Sequence, residues 1–474
     1  MREELPQGWA DTTLGELCSQ PQYGWTTRSA QKGLIKYVRT TDISDGGIEW
    51  ATVPFCEIAP EDVKKYAITP NDILVSRAGS VGVSIRVLTV PCDAVFASYL
   101  IRFKPVSGVL PEYVSLFLKS GEYWKSISEF ASGIAVPNVN ASKLSSLELP
   151  LAPYNEQRRI VERLEKLLAT VDQCKERMAK IPVLLKRFRQ SVLAAACSGR
   201  LTADWRETHR AEREDSGNGD DLPFGWRSVA VGDVIDDLRY GTSTKCSPQP
   251  SGTAVLRIPN IGSGIIDHSE LKYARLPEAE RKKLALAPGD VLMIRSNGSV
   301  SLVGKTAVVG VQEKGFAYAG YLIRLRVKSD AILPLYLHFS FASSDMRQQI
   351  EIPARSTSGV NNINSEEVRQ LNLLLPPVEE QREIVQHAAK LLALADRIEE
   401  RYQGAKKQVD SLTQSILAKA FRGKLVPTEA ELAAREGRSY ESAEQLLQRI
   451  QASGRQTHTE KKMNSRQTME KSKS

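Results

Sequence analysis

Residues 153–192 read PYNEQRRIVERLEKLLATVDQCKERMAKIPVLLKRFRQSV. Their apolar positions advance by steps of four and three: Ile160, Leu164, Leu167, Val171, Cys174, Met178, Ile181, Leu185, Phe188, Val192, and then Ala195. A period near 3.5 residues sustained over this length is the mark of a coiled-coil seam. A second stripe runs through Ile384, Ala388, Leu391, Ala395, Ile398, Tyr402, Ala405, Val409, Leu412 and Ile416. Pro153 and Pro377 precede the two starts, and Gly199 and Gly423 stand as C′ residues after the two ends. Pro182 is expected to kink the first helix. Two matching stripes in one chain most simply bury each other; the alternative is that each packs on its own globular domain. An antiparallel pair would set two globular domains at opposite ends, about a pseudo-two-fold axis.

Outward from these helices the chain repeats itself. Leu5-Pro6-Gln7-Gly8-Trp9 returns as Leu222-Pro223-Phe224-Gly225-Trp226, and Tyr23-Gly24 as Tyr240-Gly241, both at an offset of 217. Pro70-Asn71-Asp72-Ile73-Leu74 returns as Pro288-Gly289-Asp290-Val291-Leu292 at 218, and Tyr99-Leu100-Ile101-Arg102 as Tyr321-Leu322-Ile323-Arg324 at 222. Glu156-Gln157-Arg158 returns as Glu380-Gln381-Arg382 at 224, an offset that then holds through Gln190-Ser191 and Gln414-Ser415. The drift means that insertions collect in the first part of each repeat, where loops accept them. Bounded apolar runs such as Ile73-Leu74-Val75 and Val291-Leu292-Met293-Ile294 predict strands, and short helices are expected near Pro111–Ser126 and Pro334–Ile350.

The fold class is therefore α+β: two duplicated mixed α/β domains joined by two long helices that form an antiparallel coiled coil. The expected boundaries are a first domain over 1–152, a helix over 153–202, a solvated linker over 203–221, a second domain over 222–376, a helix over 377–425 and a partly disordered tail over 426–474. Glu156 and Glu380 read as helix N-terminal charges that favour the dipole.

With 474 residues and 41% hydrophobic content the chain can bury several cores, and its net charge of +8 is compatible with a polyanionic partner. Six scattered cysteines without a Cys-x-x-Cys pair argue against a disulfide framework or a zinc site. The charged opening MREELPQGW lacks the apolar core of a signal peptide, and no apolar run is long enough to span a membrane. A cytoplasmic location is expected.

Taken in order, these motifs resemble the specificity (S) subunit of type I restriction–modification enzymes. The resemblance rests on the duplicated L-P-x-G-W openings, the P-x-D-I/V-L strands, and the stretches from Ser132-Gly133 to Asn140 and from Ser358-Gly359 to Asn364. The P-x-x-E-Q-R helix starts and the helix ends at Ile181–Gln190 and Leu412–Gly423 complete it. It implies that each globular half is a target recognition domain reading one part of a split double-stranded DNA sequence. It implies also that the helices act as a ruler and dock two modification (M) subunits, which methylate adenine with S-adenosylmethionine. Restriction (R) subunits would add ATP- and Mg-dependent cleavage, and this chain itself would be non-catalytic and bind no cofactor. A helix of ~36 residues spans ~54 Å, about one and a half turns of duplex at ~34–36 Å per turn. A coiled-coil scaffold joining two protein-binding modules, and an enzyme with unrecognised catalytic residues, are the competing readings.

Traces of catalysis are missing from the sequence. Gly298–Thr306 approaches a phosphate-binding loop but has five residues between its glycines instead of four, and Leu375-Pro376-Pro377-Val378 lacks the polar residue of an adenine methyltransferase motif. Base readout needs forked or amide side chains, and phosphate anchoring needs Lys, Arg or backbone N–H groups. The candidates in the first half are Tyr23, Arg28, Arg39, Arg77, Gly79, Ser80, Asn138 and Asn140. Those in the second are Tyr240, Lys245, Arg257, Arg295, Asn297, Ser299, Lys305, Arg355, Asn361 and Asn362. Positions shared by both halves are expected to hold scaffold or phosphates; positions that differ, such as Ala78 against Asn297, are expected to set base preference.

Overall fold

The apolar runs form the centre of each half because strands buried on both faces need no polar alternation. Ile73–Ser76 and Val291–Ile294 are buried along their whole length. The computed structural model describes residues 4–44, 47–131, 138–209, 222–354 and 361–453. It divides into two compact units, one of Met1–Met178 with Ala405–Ser474 and one of Ala179–Gly404.

In the first unit the central sheet has the order Gln22–Tyr23, Leu100–Phe103, Ile73–Ser76, Ser84–Arg86, antiparallel throughout. A second sheet carries Ala94–Phe96, Lys36–Val38, Phe55–Cys56 and Ser29–Ala30, with its first two strands parallel. The second unit repeats the plan: Ile235–Tyr240, Leu322–Val327, Val291–Ile294 and Thr306–Val308 form one sheet. Lys272–Ala274, Thr253–Leu256 and Ala317–Tyr318 form the other. The duplicated Tyr-Gly pairs have a steric reason. A Cβ on Gly24 would lie 2.2 Å from the Phe96 carbonyl oxygen, and one on Gly241 would lie 2.1 Å from that of Tyr318. Only glycine lets the backbones approach this closely.

Each unit closes with a ribbon that brings its opening next to its long helix: Ala10–Thr13 pairs with Glu148–Leu151, and Arg227–Ala230 with Asn372–Leu375. The expected short helices are each two: Pro111–Phe117 and Gly121–Ala131 in the first unit, Pro334–Ala342 and Ser344–Ala354 in the second.

The first long helix runs as Tyr154–Ala179 and Ile181–Cys197, interrupted at Lys180, so that Pro182 sits in a first turn where no N–H is needed. The second, Val378–Phe421, is continuous. Gly199 and Gly423 follow the two helix ends with φ of 77° and 66°. Within the first unit Ile160 and Leu164 share a core with Leu417, Ala420 and Phe421. Within the second, Val192 and Ala196 share one with Ile384 and Ala388. The apolar stripes are not buried throughout: Cys174, Phe188, Ile398 and Leu412 are exposed.

The P-x-x-E-Q-R glutamates stand in the first turns of the two long helices, as expected, and have a second role there. Glu156 and Glu380 are buried, and their carboxylates accept from the indole N–H of Trp9 (2.9 Å) and Trp226 (2.9 Å). The L-P-x-G-W opening and the helix start are thus two ends of one buried hydrogen bond, which explains why they recur together. Burial pushes the Glu156 carboxyl above its usual range, against the hydrogen bonds it accepts from Glu429 N–H and Trp9. The expected solvated linker is instead helical at its start, Ala203–His209, where Arg206 pairs with Glu380. In the tail, Glu429–Glu436 is helical, residues 443–453 are helical, and Ala443 and Leu446 join the first unit's core.

Candidate nucleic-acid interface

Each central strand ends in an arginine held by the same set of contacts. In the first unit the Arg77 guanidinium lies over the Tyr23 ring, 5.0 Å from its centroid. In the second, Arg295 lies 4.5 Å from the Tyr240 centroid. A guanidinium on an aromatic face is attracted by the ring quadrupole and keeps its in-plane donors available. The phenol oxygens turn the other way: Tyr23 Oη accepts from Ala141 N–H (2.9 Å), and Tyr240 Oη from Ser365 N–H (2.8 Å). Those residues open short helices capped by Asn140 and Asn364. Backbone bonds finish the clasp, Arg77 N–H to Tyr99 O and Val139 N–H to Arg77 O, with Arg295 N–H to Tyr321 O and Ile363 N–H to Arg295 O. Arg77 Nε, Arg295 Nε and Asn138 Oδ1 are buried and have no hydrogen-bond partner among the described residues. Native proteins rarely leave such atoms unmatched, so water or a ligand is their natural partner.

The other candidates fall into three groups. Gly79, Ser80, Ser299 and Lys305 are exposed on the loop that follows each clasp, and Asn297 is half-buried there. Asn361 and Asn362 lie on the opposing strand, in register with Asn297 and Ser296, as Asn138 bridges Ala78. Arg39 and Arg257 both precede a short helix. Arg39 spends its fork on Asp42, through Nε (3.0 Å) and Nη2 (2.8 Å), whereas Arg257 gives only Nη2 to Glu270 O (2.8 Å). Arg28 and Lys245 are exposed. Arg355, Ser132-Gly133 and Ser358-Gly359 lie outside the described residues.

The backbone register matches Ala78 with Ser296, not with Asn297, because Val139 and Ile363 bond to Arg77 and Arg295 in the same way. Sequence reasoning also passed over Tyr99 and Tyr321, whose side chains are 60% and 47% exposed beside the clasp. Their signal was a duplicated aromatic residue directly before a buried strand. Among the described residues no group of three or more His, Cys, Asp or Glu side chains is placed to hold a metal ion.

Two copies of one fold, each offering a stacked arginine and a polar loop, define a protein that presents paired recognition surfaces. The chain belongs to the family of the type I restriction modification DNA specificity domain, whose pattern it matches twice, over residues 6–183 and 223–403. It is 31% identical to the type I restriction enzyme EcoKI specificity subunit of Escherichia coli (strain K12), over 89% of this chain and 90% of that one. It is 30% identical to the StySPI specificity subunit of Salmonella potsdam, over 90% of each. Among solved structures, a chain from work on complex assembly and conformational transition of the type I R-M system aligns with a TM-score of 0.65 at 21% identity. That alignment covers 90% of this chain and 100% of that one. The HsdS subunit from Thermoanaerobacter tengcongensis aligns at 0.58 and 21% identity, covering 89% and 98%. The fold is that of HsdS subunits.

Proposed function

We propose that this chain is the sequence-reading subunit of a type I restriction–modification complex, binding double-stranded DNA and directing adenine methylation by M subunits and cleavage by R subunits. The single observation that carries the reading is the clasp built twice, Tyr23–Arg77 and Tyr240–Arg295, in a chain of this family. Each unit, with recognition domains over 1–152 and 222–376, reads one part of a split target. The long helices run antiparallel as a fixed spacer. Supporting this, the start of each packs beside the end of the other within its unit, as Ile160 does near Leu417 and Ile384 near Val192. Exposed apolar side chains on these helices, Phe188, Ile398 and Leu412 among them, are suited to docking M subunits. The chain is non-catalytic and holds no cofactor of its own; S-adenosylmethionine and ATP with Mg belong to the partners. It works in the cytoplasm, and no described helix is long and apolar enough to cross a membrane.

The test is to express the chain with its M subunit and map modified adenines in host DNA. One split motif with two specified parts and a constant unread gap is the expected result. Methylation that is unaffected by removing this chain would overturn the reading.

A further inference from the structure

The two recognition faces are not equal, and the largest step in the repeat offset falls in one loop. The repeat offset is 218 at Asp72 and Asp290 and 222 at Tyr99 and Tyr321. The backbone locates the difference of 222 − 218 = 4 residues. Gly82 N–H bonds to Ser76 O as Gly304 N–H bonds to Ile294 O, and Ser76 N–H meets Val83 O as Ile294 N–H meets Lys305 O. Arg77 and Arg295 are therefore equivalent, as are Gly82 with Gly304 and Val83 with Lys305. All of the extra length falls between the clasp arginine and this glycine.

In the first unit that stretch is a tight turn. Gly79 has a φ of 78°, Ser76 Oγ donates to Ala78 O (3.0 Å), and Ser80 is its one exposed polar side chain. In the second unit the longer loop is braced from behind. Arg347 donates to Val303 O (2.6 Å) and Ser301 O (3.3 Å), and Asn361 Nδ2 to Gly298 O (3.0 Å). Ser299 N–H is held by Asn297 Oδ1 (2.8 Å). Trp124 occupies the place of Arg347 in the first unit, since Gly82 faces Trp124 and Ile127 as Gly304 faces Arg347 and Ile350. A loop whose carbonyls are tied down loses little entropy on binding, so its outward groups are pre-organised. Those groups are Ser299 and Ser301, with oxygens 2.9 Å apart, and exposed Lys305, whose Nζ reaches Gly262 O (3.0 Å). Hydroxyls and an ammonium are groups that meet base edges in the major groove.

We propose that the loop Asn297–Val303 with Lys305 is a specificity-determining element confined to the second recognition domain. Ser299, Ser301 and Lys305 make its base contacts, and the shared Arg77 and Arg295 clasps anchor the DNA backbone. The inference rests on the DNA-reading function proposed above. Two half-targets of different sequence cannot be told apart by a clasp that is the same in both units, so the discriminating groups lie where the units diverge.

The experiment maps adenine methylation in cells carrying the M subunit and either the wild-type chain, Lys305→Val, or Ser299→Ala with Ser301→Ala. Lys305→Val installs the residue of the first unit at an exposed position, so folding is not at stake. In the variants, methylation of sites altered at one base in a single half of the motif rises at least about tenfold, the size expected for loss of one good base contact. The other half stays as strict as before. An unchanged motif, or equal relaxation or loss of methylation across both halves, overturns the proposal. A wild-type chain that yields no split motif fails the underlying reading first, and the loop assignment with it.

Discussion

In the second unit the buried carboxylate of Glu380 meets a cation, the Arg206 guanidinium, together with the Thr202 hydroxyl (2.7 Å) and the Trp226 indole. Among the described residues, the equivalent Glu156 of the first unit meets no cation directly. It accepts from Trp9 and from the backbone N–H of Glu429 (2.8 Å), and Arg159 pairs with Glu429 instead (2.7 Å). The same residue at the same place is satisfied by a charge in one copy and by neutral donors in the other. In both, the partner segment follows the end of a long helix: residues 199–206 in the second unit, residues 428–438 in the first. A duplicated fold preserves the need for a buried acceptor's partners more strictly than it preserves their identity.

The largest effect is expected from Trp226→Ala and Trp9→Ala, which empty buried sites and strand a carboxylate. Each should cost its unit about 3–5 kcal/mol, read from denaturant unfolding of the full chain, and near-neutral values would refute the anchor. Next, Glu380→Gln breaks a buried charge pair and should cost about 3 kcal/mol, whereas Glu156→Gln exchanges acceptors among neutral donors and should cost about 1 kcal/mol. Equal losses would erase the distinction between the units. The Glu156 charge fits this order: a carboxyl whose folded pKa is raised contributes stability at low pH that is lost as pH rises.

A smaller effect separates the units by pH. Burial pushes the His338 imidazole down from 6.5 to about 4, while Nδ1 shares a hydrogen bond with Thr306 Oγ1 (2.8 Å). A depressed folded pKa means stability that is complete above 6.5 and lost as pH falls toward about 4, because the unfolded chain binds the proton first. The loss should approach about 2 kcal/mol for this partly buried ring. The first unit has Ser115 at the matching place, four residues after the proline that opens the helix. His338→Gln should therefore abolish the extra acid sensitivity of the second unit, and unchanged acid profiles would contradict the assignment. Smallest of all, Tyr23→Phe and Tyr240→Phe each remove one acceptor from an exposed N–H, at about 0.5–1 kcal/mol. Faster hydrogen exchange at Ala141 and Ser365 is the readout, and unaltered protection would mean that the phenol oxygens do not hold those helices.

Much of this architecture was legible in the chain. The long-period repeat announced two copies, the continuous apolar runs announced strands buried on both faces, and the prolines and glycines bracketed the long helices. What stayed hidden was contact across great sequence distance. The indole of Trp9 and the carboxylate of Glu156 are 147 residues apart, and Glu156 and Glu429 are 273 apart. No local pattern records such a pairing, so the sequence shows Glu156 as a helix-end charge but not as the acceptor for Trp9, and does not show that Arg206 reaches Glu380. The candidate interface was legible as residue types but not as geometry. Arg77 and Arg295 stood out as arginines at strand ends, yet their stacking on Tyr23 and Tyr240 depends on where a third segment, around Ala141 or Ser365, receives the phenol oxygen. The loop alignment slipped by one residue for a similar reason: only backbone register fixes which side of an insertion a residue belongs to.

The central claim is that two copies of one recognition fold read two parts of one DNA sequence at a fixed spacing. It is tested most directly by binding of the complex with its M subunits to duplexes that carry the mapped target with its unread gap lengthened by one base pair. One pair displaces the second half-site by about 3.4 Å and turns it by roughly a tenth of a helical turn. A rigid spacer predicts a loss of affinity of at least about a hundredfold, down to that of a duplex with one half scrambled. Equal affinity for both gaps would contradict the account.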